Sequence, residues 1–240
     1  MLDRADALRV KRREAIALFD ELTQSVFIDM FGDPLFNPMG WPTQPLGDFF
    51  TIKPNYGTMV PASSDSKSFT CLRVANIQNW QIDLSDRKYV DLAPKDLSRH
   101  SLSEGDIVLA RAIASQEHLG KAIVVYPGIE KWAFDSHLMR LRFDPARLLP
   151  EYVQGLLRSA GGRRIFLKAA RRSAVQFNVN AKEMSALSVP VPPIELQRRF
   201  VERLRSLQRL KRSHEAHLAH LDELFASVQQ RAFRGELWED

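Results

Sequence analysis

The C-terminal segment constrains the fold of this chain more than any other feature. Residues 194–233, which follow Pro193, contain neither Gly nor Pro. Apolar residues recur there at a seven-residue spacing for about five heptads, which is typical of a helix that packs along another helix. The sequence therefore predicts a long, coiled-coil-like helix. Its predicted helix-packing residues are Phe200, Leu204, Leu207, Leu210, Leu218, Leu221, Leu224 and Val228.

The start of the chain partly repeats this helix. Asp-Glu-Leu, Ser-Val and Phe recur in the segments 20–31 and 222–233, and each matched pair is 202 positions apart. Residues 2–31 also carry apolar side chains near helical spacing. Gly32 and Pro34 follow, and these residue types end helices. The sequence thus predicts related helices at both ends of the chain.

The segment between the helices has a different pattern. A Pro-rich connector leads into short apolar segments separated by turn residues, which indicate strands, and helical spacing returns at 150–170. The predicted strands are 49–52, 70–74, 107–110, 122–126, 138–143 and 187–191. We predict an α+β fold. A mixed α/β domain at 34–192 lies between an N-terminal helix at 1–33 and the long C-terminal helix at 193–240.

Composition narrows the class of protein. The chain has 45% apolar and 26% charged residues, as expected for a soluble globular protein. It shows no apolar stretch of the roughly 18–20 residues that a membrane span needs, and its charged N-terminus does not resemble a signal peptide. Cys71 is the single cysteine, so an intramolecular disulfide is impossible. These features predict a cytoplasmic protein without a membrane partner.

The basic charge of the chain is concentrated in one segment. The formal net charge is +5, yet residues 158–182 contain Lys and Arg without any Asp or Glu. A solvated helix face is one interpretation of such a segment, and a polyanionic partner is the other. The absence of compensating acids, and the Gln and Asn residues within the segment, favour the polyanion.

DNA is the polyanion that best fits the polar loop residues. Arg and Lys read guanine, Asn and Gln read adenine, and basic or hydroxyl side chains hold phosphates. Candidate residues of these types cluster in predicted loops and in the basic segment. The predicted DNA-binding set is Lys53, Asn55, Tyr56, Arg73, Asn76, Gln78, Asn79, Arg111, Arg163, Arg164, Lys168, Arg171, Arg172, Gln176 and Asn178.

The sequence contains no convincing metal site. His214, His217 and His220 are three residues apart on the long helix, but no Cys, Asp or Glu cluster completes a tetrahedral zinc site. His214 instead falls on the heptad line, where a polar residue can set the register of a coiled coil.

Catalytic patterns are equally weak. No Gly-rich phosphate-binding loop follows a strand. Asp106 precedes a predicted strand, but Glu117 and Lys121 are four residues apart, whereas the Glu-x-Lys pattern of magnesium nucleases needs two. The Asp135-Ser136-His137 triplet, placed on a strand, cannot direct all three side chains to one face. We predict no catalytic residues.

Five segments, in order, resemble the specificity subunits of type I restriction–modification enzymes. The stretch 102–109 resembles their L-x-x-G-D-I-L strand, and 189–197 resembles the I-P-x-P-P-x-x-E-Q sequence before their central conserved helix. The other matching segments are Gly40-Trp41-Pro42 with Leu46-Gly47-Asp48, then 72–77, and Phe233-Arg234-Gly235-Glu236-Leu237.

The resemblance implies a function without chemistry. A specificity subunit holds two target recognition domains, each reading half of a split DNA site, spaced by two antiparallel helices that bind the modification (methyltransferase) subunits. S-adenosylmethionine binds to those partners, so no cofactor is expected on this chain. A full subunit is about twice as long, which implies that residues 34–192 form a single target recognition domain. Either a second copy of the chain or a different half-subunit would then supply the other domain.

Two other functions remain open on sequence alone. The chain could be a non-catalytic helical assembly adaptor whose degenerate recognition domain binds protein. It could also be a nuclease or methyltransferase in its own right, for which the sequence offers no constellation of residues.

Overall fold

The computed structural model describes residues 2–65, 68–78, 80–172 and 177–234. The chain forms two compact units. Residues 1–26 and 199–240 make up one of them, the helical unit, and residues 27–198 make up the other, the globular unit. The two long helices contribute to both units, because each crosses a unit boundary.

The helical unit is an antiparallel pair formed by helix α1, Leu2–Phe31, and helix α6, Ile194–Phe233. Nε of Arg9 on α1 donates to Asp222 on α6 at 2.6 Å, while Asp20 accepts from Lys211 at 3.3 Å. Rising residue numbers on α1 match falling numbers on α6, so the helices run in opposite directions. Both predicted helices are present.

The contact line between α1 and α6 mixes apolar and polar residues. Phe19 meets the ring of His214 edge-on, with ring centroids 5.3 Å apart, and Arg12 contacts Nδ1 of His214 at 3.1 Å. The guanidinium of Arg9 lies 4.2 Å from the ring centroid of Phe225. His214 therefore faces the partner helix, where its position on the heptad line places it.

The predicted packing residues divide into three groups by burial. Phe200 is fully buried, and Leu210 and Leu224 are each 53% exposed. The structure corrects the prediction for these two leucines within the helical unit, because the residue after Leu210, Lys211, is the one that reaches α1. The remaining predicted residues are half-buried: Leu204, Leu207, Leu218, Leu221 and Val228.

The globular unit is built around a four-stranded antiparallel sheet in the order β2-β9-β5-β7. Strand β5 is buried along its whole length, which agrees with its unbroken apolar sequence. The strands are β2, Phe50–Tyr56; β9, Leu138–Phe143; β5, Ile107–Ala110; and β7, Ala122–Val124.

Three smaller sheets complete the globular unit. In one of them β3 pairs with β8 in parallel, a pairing that leaves the ends of both strands at one edge. The three sheets are β4-β3-β8, β10-β11-β6 and β1-β12. Their strands are β1, Thr43–Pro45; β3, Phe69–Leu72; β4, Tyr89–Val90; β6, Ala112–Ile113; β8, Trp132–Phe134; β10, Arg171–Arg172; β11, Phe177–Asn178; and β12, Ser188–Pro190.

Short helices pack around these sheets, and a buried tyrosine ties two of the elements together. Tyr152 donates from its hydroxyl to the carbonyl of Pro190 at 2.7 Å and packs against Phe27 and Phe31 at the end of α1. The helices are α2, Leu97–His100; α3, Pro150–Arg158; α4, Ala160–Ala169; and α5, Ala181–Ala186.

The sequence missed the shortest elements. Strands β6, β8, β10 and β11 have two or three residues each, too few for a periodic pattern to emerge. The predicted strand at 70–74 ends at Leu72, because Asn76 accepts from the backbone N–H of Arg73 and starts a 3₁₀ turn there. None of the described helices is apolar enough over sufficient length to cross a membrane.

Candidate nucleic-acid interface

Several loops of the globular unit meet where strands end. Because β3 and β8 are parallel, Arg73 and Asp135, which follow them, lie at the same edge of their sheet. Strand β6 and the residues after it approach the same place. Together these segments line an open cleft of about 390 Å³, whose lining residues include Arg73, Ala75, Ala112, Ala114, Asp135 and His137.

Arg73 is tethered on one side of this cleft. Its Nη2 donates to the backbone carbonyl of Asp86 at 2.6 Å and to the carboxylate of Asp86 at 2.9 Å. This pair lowers the pKa of Asp86, with Lys88 contributing a second hydrogen bond. The Arg73 side chain remains 24% exposed.

Asp135 and His137 line another side of the cleft. They lie in the turn between β8 and β9, where Asp135 accepts from the backbone N–H of His137 at 2.9 Å. Nδ1 of His137 is 3.7 Å from the other carboxylate oxygen. The sequence placed this triplet on a strand, and the turn instead directs both side chains to one cleft.

The pH dependence of stability tests the buried state of Asp135. Burial raises its pKa above the ordinary 3.8, so the charged form opposes folding at neutral pH. This opposition disappears as the pH falls through the raised pKa toward 3.8. We expect Asp135→Asn, which keeps the acceptor for His137, to be more stable than wild type at pH 7. Urea unfolding at pH 7 and near pH 4 should show the difference shrinking.

Asp83 is the control, because its pKa is shifted in the opposite direction. Hydrogen bonds from Ser85 lower the pKa of this exposed carboxylate, so wild-type stability should fall relative to Asp83→Asn as the pH decreases. If the difference in unfolding free energy between wild type and Asp135→Asn stayed constant with pH, this would contradict the assignment of a buried charge.

Arg111 lies at the junction of the loops and is held by contacts to three of them. Its guanidinium stacks on the Tyr56 ring, 4.0 Å from the centroid, and donates to Asn178 at 3.0 Å and to the carbonyl of Ser136 at 3.1 Å. The structure therefore brings together three residues of the predicted DNA-binding set, although they are far apart in sequence.

The basic segment divides into bound and free cations. Arg163 on α4 donates to the backbone carbonyls of Leu119, Gln116 and Glu117, so it holds the 115–119 loop. Arg164 and Lys168 are exposed and one helical turn apart, as is typical of a phosphate-binding helix face. Lys53 is likewise exposed, on β2.

Three predicted DNA-binding amides serve the fold. Asn76 is 4% exposed, accepts from the N–H of Arg73 and donates to the carbonyl of Asp83, so the structure corrects its assignment as a DNA contact. Gln78 donates to the carbonyl of Val74 at 2.8 Å, and Asn55 donates to the carbonyl of Arg99 at 2.6 Å. Asn79 and Gln176 lie outside the described residues, as do the side chains of Arg171 and Arg172.

Catalytic chemistry finds no support among the described residues. No group of three or more His, Cys, Asp or Glu there could hold a metal ion. Asp106 is fully buried and paired with Arg142. Burial also raises the pKa of the Cys71 thiol to about 12, so this cysteine is not a poised nucleophile.

The helical unit has a second surface of interest. A groove of about 540 Å³ runs between α1 and α6, lined by Leu22, Val26 and Leu207 with Arg199 and Arg203. Exposed leucines mark both helices of this unit, which makes its surface more apolar than a solvated helix pair requires. They are Leu8, Leu18, Leu22, Leu210 and Leu224.

Structural comparison places the fold in a known class. A chain from a structure of a type I R-M system, solved for its complex assembly and conformational transition, superposes with a TM-score of 0.63 at 19% identity. This match covers 98% of the present chain and 56% of that chain. The S subunit from M. genitalium superposes with a TM-score of 0.60 at 13% identity, covering 95% and 57%. The fold is that of type I S subunits over about half their length, which confirms the predicted fold class.

Sequence comparison agrees with the fold. No protein-family model matches the chain. It is 26% identical over 204 residues to the MjaX type I restriction enzyme specificity subunit of Methanocaldococcus jannaschii, covering 84% of this chain and 47% of the relative. The StySPI specificity subunit of Salmonella potsdam is 25% identical, with 83% and 44% covered. The EcoKI specificity subunit of Escherichia coli is 26% identical, with 69% and 37% covered.

The chain is a homologue of type I restriction enzyme specificity subunits, and it spans about half the length of the curated relatives it matches. This confirms the predicted family. All three relatives are specificity subunits.

Proposed function

We propose that this chain is a sequence-specific DNA-recognition subunit of a type I restriction–modification complex, with the globular unit reading one half of a split target. The observation that carries the proposal is the convergence of the loops around Arg73, Arg111 and Asn178 in a homologue of specificity subunits. Around these three residues the loops present polar side chains of the types that contact the base edges and phosphates of double-stranded DNA.

The free cations of the globular unit would supply the sequence-independent part of binding. Arg164, Lys168 and Lys53 are exposed. The guanidinium of arginine can bind a phosphate through two hydrogen bonds, and the ammonium of lysine attracts it as a compact positive charge. Arg171 and Arg172 follow α4 directly and extend the same basic segment. Their charge raises affinity for any duplex, and the loops at the cleft supply the preference for one sequence.

The helical unit would dock the modification subunits. Its groove between α1 and α6 and its exposed leucines offer an apolar surface, and Arg199 and Arg203 provide a charged edge to it. Leu210 and Leu224 lie on the heptad repeat but are exposed in this helix pair, so a further helix is the natural partner for them.

The other half of a split target would need a second recognition unit. A chain with one globular unit reads one half-site, and a second copy or another half-subunit would supply the other. Two identical copies would read a palindromic split target. We place S-adenosylmethionine on the modification subunits, no cofactor on this chain, and the complex in the cytoplasm.

Selection from randomised duplexes in the presence of the modification subunits tests this function. We expect one enriched split site. The logarithm of the binding constant for this site should fall linearly with the logarithm of the salt concentration, because binding releases condensed counterions. Each phosphate contact should contribute about −0.9 to the slope.

A pool without any enriched sequence would contradict the proposal. If the helical unit still bound its partners in that experiment, the assembly-adaptor function would replace DNA recognition. Incubation of the pure chain with DNA, magnesium and S-adenosylmethionine is expected to yield neither cleavage nor methylation.

A further inference from the structure

The side chain of Arg111 joins three segments that are distant in sequence. Nη1 donates to Oδ1 of Asn178 at 3.0 Å, and Nε donates to the carbonyl of Ser136 at 3.1 Å. The plane of the guanidinium lies over Tyr56, with Cζ 4.0 Å from the ring centroid. One side chain therefore bridges the end of β2, the turn before β9 and strand β11.

The backbone of Arg111 connects the same segments. Its N–H donates to the carbonyl of His137 at 3.0 Å, and its carbonyl accepts from the N–H of Val179 at 2.9 Å. Both the main chain and the side chain of this residue thus hold the turn at 135–137 to the end of β11.

The partners of Arg111 are themselves fixed. The hydroxyl of Tyr56 accepts from the N–H of Ala181 at 3.1 Å, at the start of α5. Asn178 pairs with Ala112 on one side and with Arg171 on the other in the β6-β11-β10 sheet. Strand β10, with its two arginines, is therefore attached to the cleft through β11 and the Arg111–Asn178 contact.

We infer that Arg111 is a positioning residue for DNA recognition, which orients strands β11 and β10 against the cleft instead of reading a base itself. The inference rests on the proposed function. Nε and Nη1 of Arg111 already donate hydrogen bonds within the fold, and the face of its guanidinium already lies on the Tyr56 ring. Lysine has no planar guanidinium and cannot make these contacts together. The fixed geometry of the arginine is what the site needs, in addition to its charge.

The test compares Arg111→Lys and Asn178→Ala in complex with the modification subunits. Each variant is titrated with the enriched duplex and with a scrambled duplex of the same length, and the ratio of the two affinities measures preference. We expect both variants to lose about tenfold in preference, the scale of one lost base contact. Affinity for the scrambled duplex and its salt slope should stay unchanged, since both variants keep the net charge.

Arg147→Lys is the matched control. Arg147 makes the same kinds of contact at the other end of β2, with its guanidinium 4.7 Å from the Phe49 ring centroid and a hydrogen bond of 2.6 Å to the carbonyl of Asp48. Lysine at this position loses the guanidinium hydrogen bond and the ring contact but leaves the cleft unchanged. The preference of this variant for the enriched duplex should therefore remain at the wild-type value. Thermal unfolding midpoints of all three variants are measured in parallel.

The outcomes separate positioning from the other roles. A loss in Arg111→Lys together with a silent Asn178→Ala would indicate a direct DNA contact and overturn the inference. An equal loss in Arg147→Lys would indicate general destabilisation and also overturn it. If wild type enriches a site and both test variants keep full preference, only the inference fails. If wild type enriches nothing, the proposed function fails.

Discussion

Replacement of Asp106 by alanine is expected to destabilise the globular unit by about 3 kcal/mol, near the lower end of the cost of breaking a buried ion pair. The Asp106 side chain is fully buried and meets Arg142 through two contacts, at 2.6 Å to Nε and 2.7 Å to Nη2. It also accepts from the N–H of Ser103 at 2.8 Å. Alanine leaves Nε of Arg142 and this N–H without their acceptor, while Nη2 of Arg142 keeps its hydrogen bond to the Ser103 hydroxyl. Because the Arg142 side chain is 28% exposed, water recovers part of the loss.

Equilibrium denaturation measures this effect, and Asp86→Ala is its control. Asp86 also accepts from an arginine, Arg73, but its side chain is 66% exposed. Ion pairs between exposed side chains contribute little to stability because water screens them, so the control should change the free energy of unfolding little. Equal losses in the two variants would show that burial does not set the strength of the Asp106 pair.

Charge reversal of Arg164 and Lys168 is expected to cause the largest loss of DNA affinity. Both side chains are exposed on α4 and one turn apart, so glutamate at both positions removes two cations and adds two anions on one face. Each lost phosphate contact makes the salt slope shallower by about 0.9, so two lost contacts change it by about 1.8. We expect a drop in affinity of about tenfold or more at low salt, equally for specific and scrambled duplexes.

Arg205→Glu with Arg209→Glu is the matched control for this variant. These residues are also exposed and four apart, but on α6 in the helical unit. The pair changes the net charge of the chain by the same amount, and DNA affinity of the chain alone should change far less. Similar losses in the two variants would mean that overall charge, and no particular face, binds the phosphates.

The sequence predicted the elements whose signals are local. The absence of Gly and Pro over 194–233 and the heptad spacing were sufficient to predict α6, and the recurrence 202 positions earlier predicted α1. The motif at 102–109 ends within β5, whereas the motif at 72–77 shares only Leu72 with β3 and continues into a 3₁₀ turn at Val74–Ile77. A local pattern needs no knowledge of which segments meet, so these predictions were within reach.

The candidate site was harder to predict from the sequence, because residues of the same type have different roles in the structure. Asn76 and Asn178 are both asparagines near predicted loops, yet one is buried as a cap and the other is held by Arg111. Arg163 and Arg164 are adjacent, yet only Arg163 donates to the 115–119 loop. Asp135 and His137 were set aside because a strand was assumed where the chain makes a turn.

The sequence by itself determined the two long helices, the α+β fold class and the resemblance to specificity subunits, because periodicity and ordered motifs are properties of the chain alone. Only the tertiary structure decided which polar side chains are bound within the fold and which are exposed. Arg111 finds Asn178 across 67 positions and Asp106 finds Arg142 across 36. Hydrogen-bond partners this distant are chosen by sheet pairing and burial, and residue type alone carries no record of either.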